Sequence, residues 1–149
     1  MAFRLGLRVP NVREAVEFYG GLGFERSGLI PNEAGEPVLA ILGRGDATLI
    51  VDALVGMPFR DSARERSVQA GPRGLGVVIG LGVDDLDETY RYCASAGCEI
   101  TCEPMDEAWG ERVFSCLDPF GYEWEFGVPI PGGDVEDALE ATRSSWFGE

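Results

Sequence analysis

The chain contains no histidine, and this absence excludes more than any other feature of its composition. It removes the side chain that titrates near neutral pH, the commonest nitrogen ligand for metals, and the base of Ser-His and Cys-His nucleophilic pairs. Basic residues are scarce as well: 12 Lys and Arg stand against 26 Asp and Glu, a formal charge of −14 at pH 7. A field of that sign repels phosphate backbones, and no basic patch offsets it, so nucleic acid is not an expected partner. The same field would draw cationic ligands, although a merely solvated acidic surface has the same composition. No apolar stretch approaches the roughly 20 residues of a membrane span, and the N-terminus lacks the charged, apolar and small-residue succession of a signal peptide. The expectation is a cytoplasmic protein with no membrane partner.

The first half of the chain has no cysteine. Cys93, Cys98, Cys102 and Cys116 lack the paired close spacings of a zinc site or a secreted disulfide framework, which points to reduced, mostly buried thiols. The sharper alternative is a soft metal site from Cys98, Cys102 and Cys116, for which the neighbouring residues offer no fourth ligand type except carboxylate.

What the sequence does have is a repeat. GLRVPNVREAVEFYGGLGFE from Gly6 aligns without gaps on GLGVDDLDETYRYCASAGCE from Gly80, at an offset of about 74 residues. With 149 residues and 45% hydrophobic content, the chain is long enough for one domain with a sizeable core. The expected plan is a single domain over 1–149: repeat one at 3–52, a connector at 53–74, repeat two at 75–128 and a helical tail at 129–149.

Each copy opens with alternating apolar residues, Phe3, Leu5, Leu7 and Val9 in one and Val77, Ile79, Leu81 and Val83 in the other, the period of a half-buried strand. A helix follows each strand, started by Asn11 in one copy and by Asp84 or Asp85 in the other. Val12, Ala15, Val16 and Tyr19 recur at helical spacing, as do Leu86, Thr89, Tyr90 and Cys93, and Gly23 and Gly97 mark the helix ends. Three shorter strands complete each copy, near 25–30, 37–42 and 48–52, then near 99–103, 112–117 and 122–127. Turns at Gly43 to Asp46 and Asp118 to Gly121 join the last pairs. Residues 61–69 form a short helical turn, and 134–145 a weak amphipathic helix that packs on the domain or on a partner chain.

The stretches VPNVREAVEFYGGLGFE and WGERVFSCLDPFGYEWEF resemble the first and last signatures of the glyoxalase/bleomycin-resistance/dioxygenase group, the vicinal oxygen chelate superfamily, over about residues 3–128. The resemblance implies an α+β fold: two tandem βαβββ repeats forming a curved mixed sheet, helices outside, a ligand cup inside, and commonly a two-fold homodimer. Open sheet edges give that dimer a physical motive. Metal enzymes of the group hold one divalent ion through the first and last strands of each repeat, usually by His or Gln and Glu. Carried onto this sequence, those places are Arg4, Leu49 or Val51, Val78 and Glu125. Only Glu125 is of ligand type, and one carboxylate falls short of the three or four ligands such ions normally need. No metal and no cofactor is therefore expected.

Alternation puts Glu123 on the face of Glu125 and sends Tyr122, Trp124 and Phe126 to the helix-packed side. Closing the Asp118 to Gly121 turn places Phe114 opposite Glu125 and Cys116 opposite Glu123, with Arg112 further along the same face. Arg4 shares its face with Gly6 and Arg8, and Val78 with Gly80 and Gly82, glycines that either widen the cup or relieve crowding. Arg4 and Glu125 either pair where a metal would sit, or Arg4 reaches solvent at its strand end. Trp109 at a loop-to-strand junction is the leading candidate for stacking on a ligand, ahead of Phe59 and Trp146. The expected ligand-binding set is thus Arg4, Arg8, Trp109, Arg112, Phe114, Glu123 and Glu125, with no catalytic residue.

Three functions follow from the resemblance. The first is a non-catalytic protein like the bleomycin-resistance type, sequestering an aromatic or cationic small molecule. The second is a glyoxalase-like lyase or isomerase, or a dioxygenase-like enzyme, with a degenerate or substrate-completed metal site. The third is an interaction dimer with a filled cup.

Overall fold

Side-chain caps separate strand from helix at equivalent places in both copies. In the computed structural model, which describes residues 3–132 and 134–148, the Glu14 amide donates to Asn11 Oδ1 at 3.0 Å and the Glu88 amide to Asp85 Oδ1 at 3.0 Å. Each cap satisfies an amide that the first helical turn leaves without a partner. Met1, Ala2, Gly133 and Glu149, at the ends and within the predicted tail, lie outside the described residues. The chain divides into two compact units that meet at Arg73 and Gly74.

The first unit runs β1 (Arg4–Val9), α1 (Val12–Gly20), β2 (Glu25–Pro31), β3 (Pro37–Arg44), β4 (Ala47–Ala53) and α2 (Ser62–Ala70). Its sheet has the order β1-β4-β3-β2, with β1 parallel to β4 and the other pairs antiparallel. Helix α1 packs on this sheet, burying Val12, Ala15, Phe18 and Tyr19 against a face that includes Leu42, Leu49 and Val51. Helix α2, expected as a short turn, is a nine-residue helix capped by Asp61, and it buries no residue.

The second unit repeats the plan with β5 (Val78–Gly82), α3 (Leu86–Ser95), β6 (Glu99–Glu107), β7 (Glu111–Leu117), β8 (Glu123–Pro129) and α4 (Val135–Phe147). The sheet order is β5-β8-β7-β6, again with only the first pair parallel. Among the described residues the class is α+β, with four helices and two four-stranded mixed sheets, as the resemblance implied. After α1 and α3 the chain turns through Gly23 and Gly97, each at φ 92°, a left-handed conformation that a residue with a Cβ adopts only at a cost.

Trp124 and Phe126 lie on the helix-packed side of β8 as alternation predicts, 1% and 0% exposed, with ring centroids 5.7 Å apart and planes within 5°. Tyr90 of α3 meets Phe114 of β7 edge-on at 5.3 Å. Helix α4 begins at its cap Asp134 but has no buried residue, and Val135, Leu139, Trp146 and Phe147 along it are exposed.

The β7–β8 register differs from the one expected. Leu117 pairs with Glu123, Ser115 with Glu125 and Phe114 with Phe126, so the connection spans Asp118 to Tyr122. The side chain of Asp118 sets this length. Its Oδ1 accepts from the Phe120 and Tyr122 amides at 2.9 and 3.0 Å, and its Oδ2 from Trp124 Nε1 at 2.9 Å, while the Asp118 amide closes the loop on Tyr122 O at 2.8 Å.

Candidate functional site

A register displaced by one residue turns every side chain of a strand to the other face. The β7 residues on the side of Glu125 are therefore Glu111, Val113 and Ser115, not Arg112, Phe114 and Cys116. Phe114 is wholly buried in the core between Tyr90 and Phe126, and Cys116 is buried opposite Trp124. Arg112 lies opposite Val128 and forms an exposed ion pair with Asp106 at 2.9 Å. These three leave the expected lining.

What remains is a recess of about 150 Å³ lined by Gly80, Leu81, Gly82, Glu111, Glu125 and Gly127. Strand β8 runs between β5 and β7, so Glu125 is flanked by Gly80 on one side and Ser115 on the other. A Cβ at Gly80 or Gly82 would have no heavy atom of the described residues within 4 Å, so within this unit the two glycines leave the surface wide. No basic residue lines the recess. Burial raises the pKa of the Glu125 carboxyl above its ordinary value, and the charges of Glu107, Glu111 and Glu123 raise it further. Glu107 pairs across the strands with Glu111, and sequence reading missed both; their cue would have been the correct β7 register.

Trp109 is half-buried in the turn between β6 and β7. The Ile130 amide donates to Gly110 O at 2.8 Å, which ties this turn to the chain end of β8. The indole therefore sits on the loop that leads into Glu111.

In the first unit Arg4 is exposed at the start of β1. Arg8 donates to Ala53 O at 3.3 Å and places its guanidinium 4.3 Å from the Phe59 ring centroid, a cation–π geometry. Arg8 is in register with Asp52, whose Oδ1 is buried without a hydrogen-bond partner among the described residues. Burial raises the Asp52 pKa and the Arg8 charge opposes that rise. Sequence reading missed Asp52 because it sat at the predicted end of β4. Trp146 is 71% exposed on α4 and touches Phe147 edge-on.

The first unit also corrects a face. Leu49 and Val51 are 2% and 0% exposed, buried on the helix-packed side, whereas Ile50 is in register with Gly6 as Glu125 is with Gly80. The place corresponding to Glu125 is Ile50. The places that the resemblance implies for a metal ligand are thus Arg4 and Ile50 in the first unit, and Val78 and Glu125 in the second. A guanidinium with a hydrocarbon, or a hydrocarbon with a single carboxylate, does not fit a divalent ion.

The cysteines regroup. Cys93, Cys98 and Cys116 bring their Sγ atoms within 4.8 Å of one another. Cys102, expected in the group, instead lies with its Sγ 3.7 Å from Met105 Sδ. Interaction with the Cys116 and Cys93 thiols pulls the Cys98 thiol well down against the opposing effect of burial. Interaction with Cys93 and Cys98, joined by burial, pushes Cys116 up.

A family model described as the Glyoxalase/Bleomycin resistance protein/Dioxygenase superfamily matches residues 3–126. Two uncharacterized mycobacterial proteins, Mb0911c of Mycobacterium bovis and Rv0887c of Mycobacterium tuberculosis, are each 28% identical over 141 residues, 93% of this chain and 90% and 80% of theirs. Among solved structures, TioX from Micromonospora sp. ML1 superposes with a TM-score of 0.64 at 22% identity, covering 87% of this chain and 99% of that one. A glyoxalase/bleomycin resistance protein/dioxygenase family enzyme from Burkholderia phytofirmans PsJN does so at 0.64 and 16%, covering 85% and 97%. At these identities the structures speak for the fold alone.

Proposed function

From the premise that the chain belongs to the glyoxalase/bleomycin resistance protein/dioxygenase superfamily, we propose that it is a non-catalytic small-molecule binding protein that takes a cationic, aromatic ligand. The observation that carries this reading is Glu125, a carboxylate in a glycine-widened recess with Glu111 beside it and no basic residue in the lining. Glu123 and Glu125 supply the negative charge, and Trp109 is the aromatic surface on which a planar ligand stacks. Ligand pockets usually measure about 300–1,000 Å³, so a recess of about 150 Å³ suits the charged group of a ligand better than a whole molecule.

A thermal-shift and tryptophan-quenching panel of planar aromatic cations, each with a neutral isostere, tests this. The cations are expected to raise the melting temperature and the isosteres not. A hydrogen bond to a charged group contributes about 1.5–3 kcal/mol, so Glu125→Gln is expected to weaken cation binding roughly tenfold to a hundredfold. The pH dependence has a definite sign. Glu125 attracts the cation when ionised, and its pKa is raised, so affinity is full above that raised pKa and falls as pH drops through it, with Glu125→Gln flattening the profile. Equal binding by Glu125→Gln, or a panel without a single stabilising cation, would end the proposal. Turnover of a bound compound would turn it into an enzyme in which Glu125 moves a proton, since a raised carboxyl pKa also suits a general base.

The same reading includes a homodimer in the cytoplasm. Each sheet has two open edges, β1 and β2 in the first unit and β5 and β6 in the second. Leu29 and Ile30 on β2 and Val78 on β5 are exposed apolar residues at those edges, the kind of surface that proteins cover or pair. Sedimentation at micromolar concentration is expected to show a dimer; a monomer would remove this part of the reading. Among the described residues no helix is long and apolar enough to cross a membrane.

A further inference from the structure

We propose that Cys93, Cys98 and Cys116 form a site for one soft monovalent metal ion of the copper(I) class, held by three thiolate sulfurs within the second unit. The three residues come from three pieces of backbone: Cys93 from the last turns of α3, Cys98 from the turn ahead of β6, and Cys116 from β7. Their convergence is therefore a property of the packed unit and not of sequence spacing. With metal–sulfur bonds of about 2.3 Å, the length found for zinc thiolates, three sulfurs around a trigonal ion stand about 4 Å apart. The Sγ atoms here all lie within 4.8 Å of one another, so small side-chain adjustments close the ring.

The donor set selects the ion. Soft thiolates favour copper(I) and zinc, but structural zinc takes four protein ligands, and no fourth His, Cys, Asp or Glu joins this group among the described residues. Asp118 is the carboxylate whose charge Cys93 feels, yet its oxygens already accept from Phe120, Tyr122 and Trp124. A three-coordinate soft ion needs no more than the sulfurs supply. Cys93 and Cys116 are wholly buried, which shields an ion from water, and half-buried Cys98 gives it a way in. Binding displaces thiol protons to solvent and involves no change of oxidation state.

Buried cysteine commonly serves as a small apolar residue, and that accounts for Cys93 and Cys116 taken singly. The experiment separates the two roles. The full chain, reduced and free of oxygen, is titrated with copper(I) against bicinchoninate. The expected result is one equivalent bound, a thiolate-to-copper charge-transfer band, and protection of Cys98 from iodoacetamide. Cys98→Ser is expected to lower affinity roughly a hundredfold or more, beyond the cost of losing a supporting contact, while Cys102→Ser leaves it unchanged. Cys98 is not in the closed core, so its variant should stay folded even where Cys93→Ala or Cys116→Ala does not. The proposal is overturned if bicinchoninate keeps the copper, if Cys102→Ser weakens binding as much as Cys98→Ser, if Cys98 stays reactive in the copper-loaded protein, or if zinc binds more tightly than copper(I).

Discussion

Asp118→Ala is expected to cost about 3 kcal/mol of stability, because it strands donors that a folded chain cannot return to water. The carboxylate is 4% exposed and accepts from two loop amides and the Trp124 indole. An unpartnered buried donor costs about 1–3 kcal/mol. The Tyr122 amide and the Trp124 indole are both buried, while the Phe120 amide is partly buried and recovers some of its loss from solvent. Asp118→Asn keeps one carbonyl acceptor and should fall between. Urea unfolding measures both variants, and Trp124→Phe, which strands Asp118 Oδ2 and leaves a cavity at a 1% exposed site, should cost about 2–3 kcal/mol. A double-mutant cycle between Asp118→Ala and Trp124→Phe should show coupling, since the two residues share a bond. An Asp118→Ala protein within 0.5 kcal/mol of the parent, a difference ordinary for surface changes, would mean that the carboxylate does not hold the loop.

Phe114→Ala is the second large effect, about 3–5 kcal/mol, the usual cost of emptying a buried aromatic site. Its ring is wholly buried between Tyr90 and Phe126, so truncation opens a cavity under α3. The register expected from sequence would have placed Phe114 at the ligand, where truncation weakens binding and leaves most of the stability. Urea unfolding beside cation titration therefore decides the face: stability should fall and the Glu125-dependent affinity should change little in the surviving folded fraction. The opposite pattern, lost affinity with stability within about 1 kcal/mol of the parent, would restore the earlier register. Phe114→Leu, which keeps most of the volume, should recover much of the loss.

The duplicated plan was legible because local rules agree with it. Alternation at β1 and β8, helical spacing at Val12 to Tyr19, caps at Asn11 and Asp85 and glycines at 23 and 97 each specify an element without reference to the rest of the chain. The site was harder to read, and three places in the chain show why. Whether the turn after β7 spans four or five residues is invisible in DPFGY, since composition favours a turn of either length; the Asp118 side chain decides it through contacts that exist only once the loop has formed. Leu49, Ile50 and Val51 are three aliphatics in a row, which leaves no period from which to choose a face, and α1 makes the choice by covering the first and third. Cys93 fits the apolar stripe of α3, and nothing in its spacing announces that Cys98 and Cys116 lie alongside. The loop's own side-chain bonds settled the first, and packing between distant segments settled the other two.

Gly80 and Gly82 lie in the recess facing open space, with ordinary negative backbone angles. A methyl or hydroxymethyl group at either position can be introduced by one substitution without moving the backbone. The neighbouring strand is less forgiving, because a Cβ at Gly127, the partner of Gly82, would stand 3.2 Å from Val113 Cγ1. Selection can thus reshape one side of this surface in small, separable steps while the fold beneath stays fixed. Under the proposed function, a lineage meeting a new compound would have room to change its preference before it had to change its core.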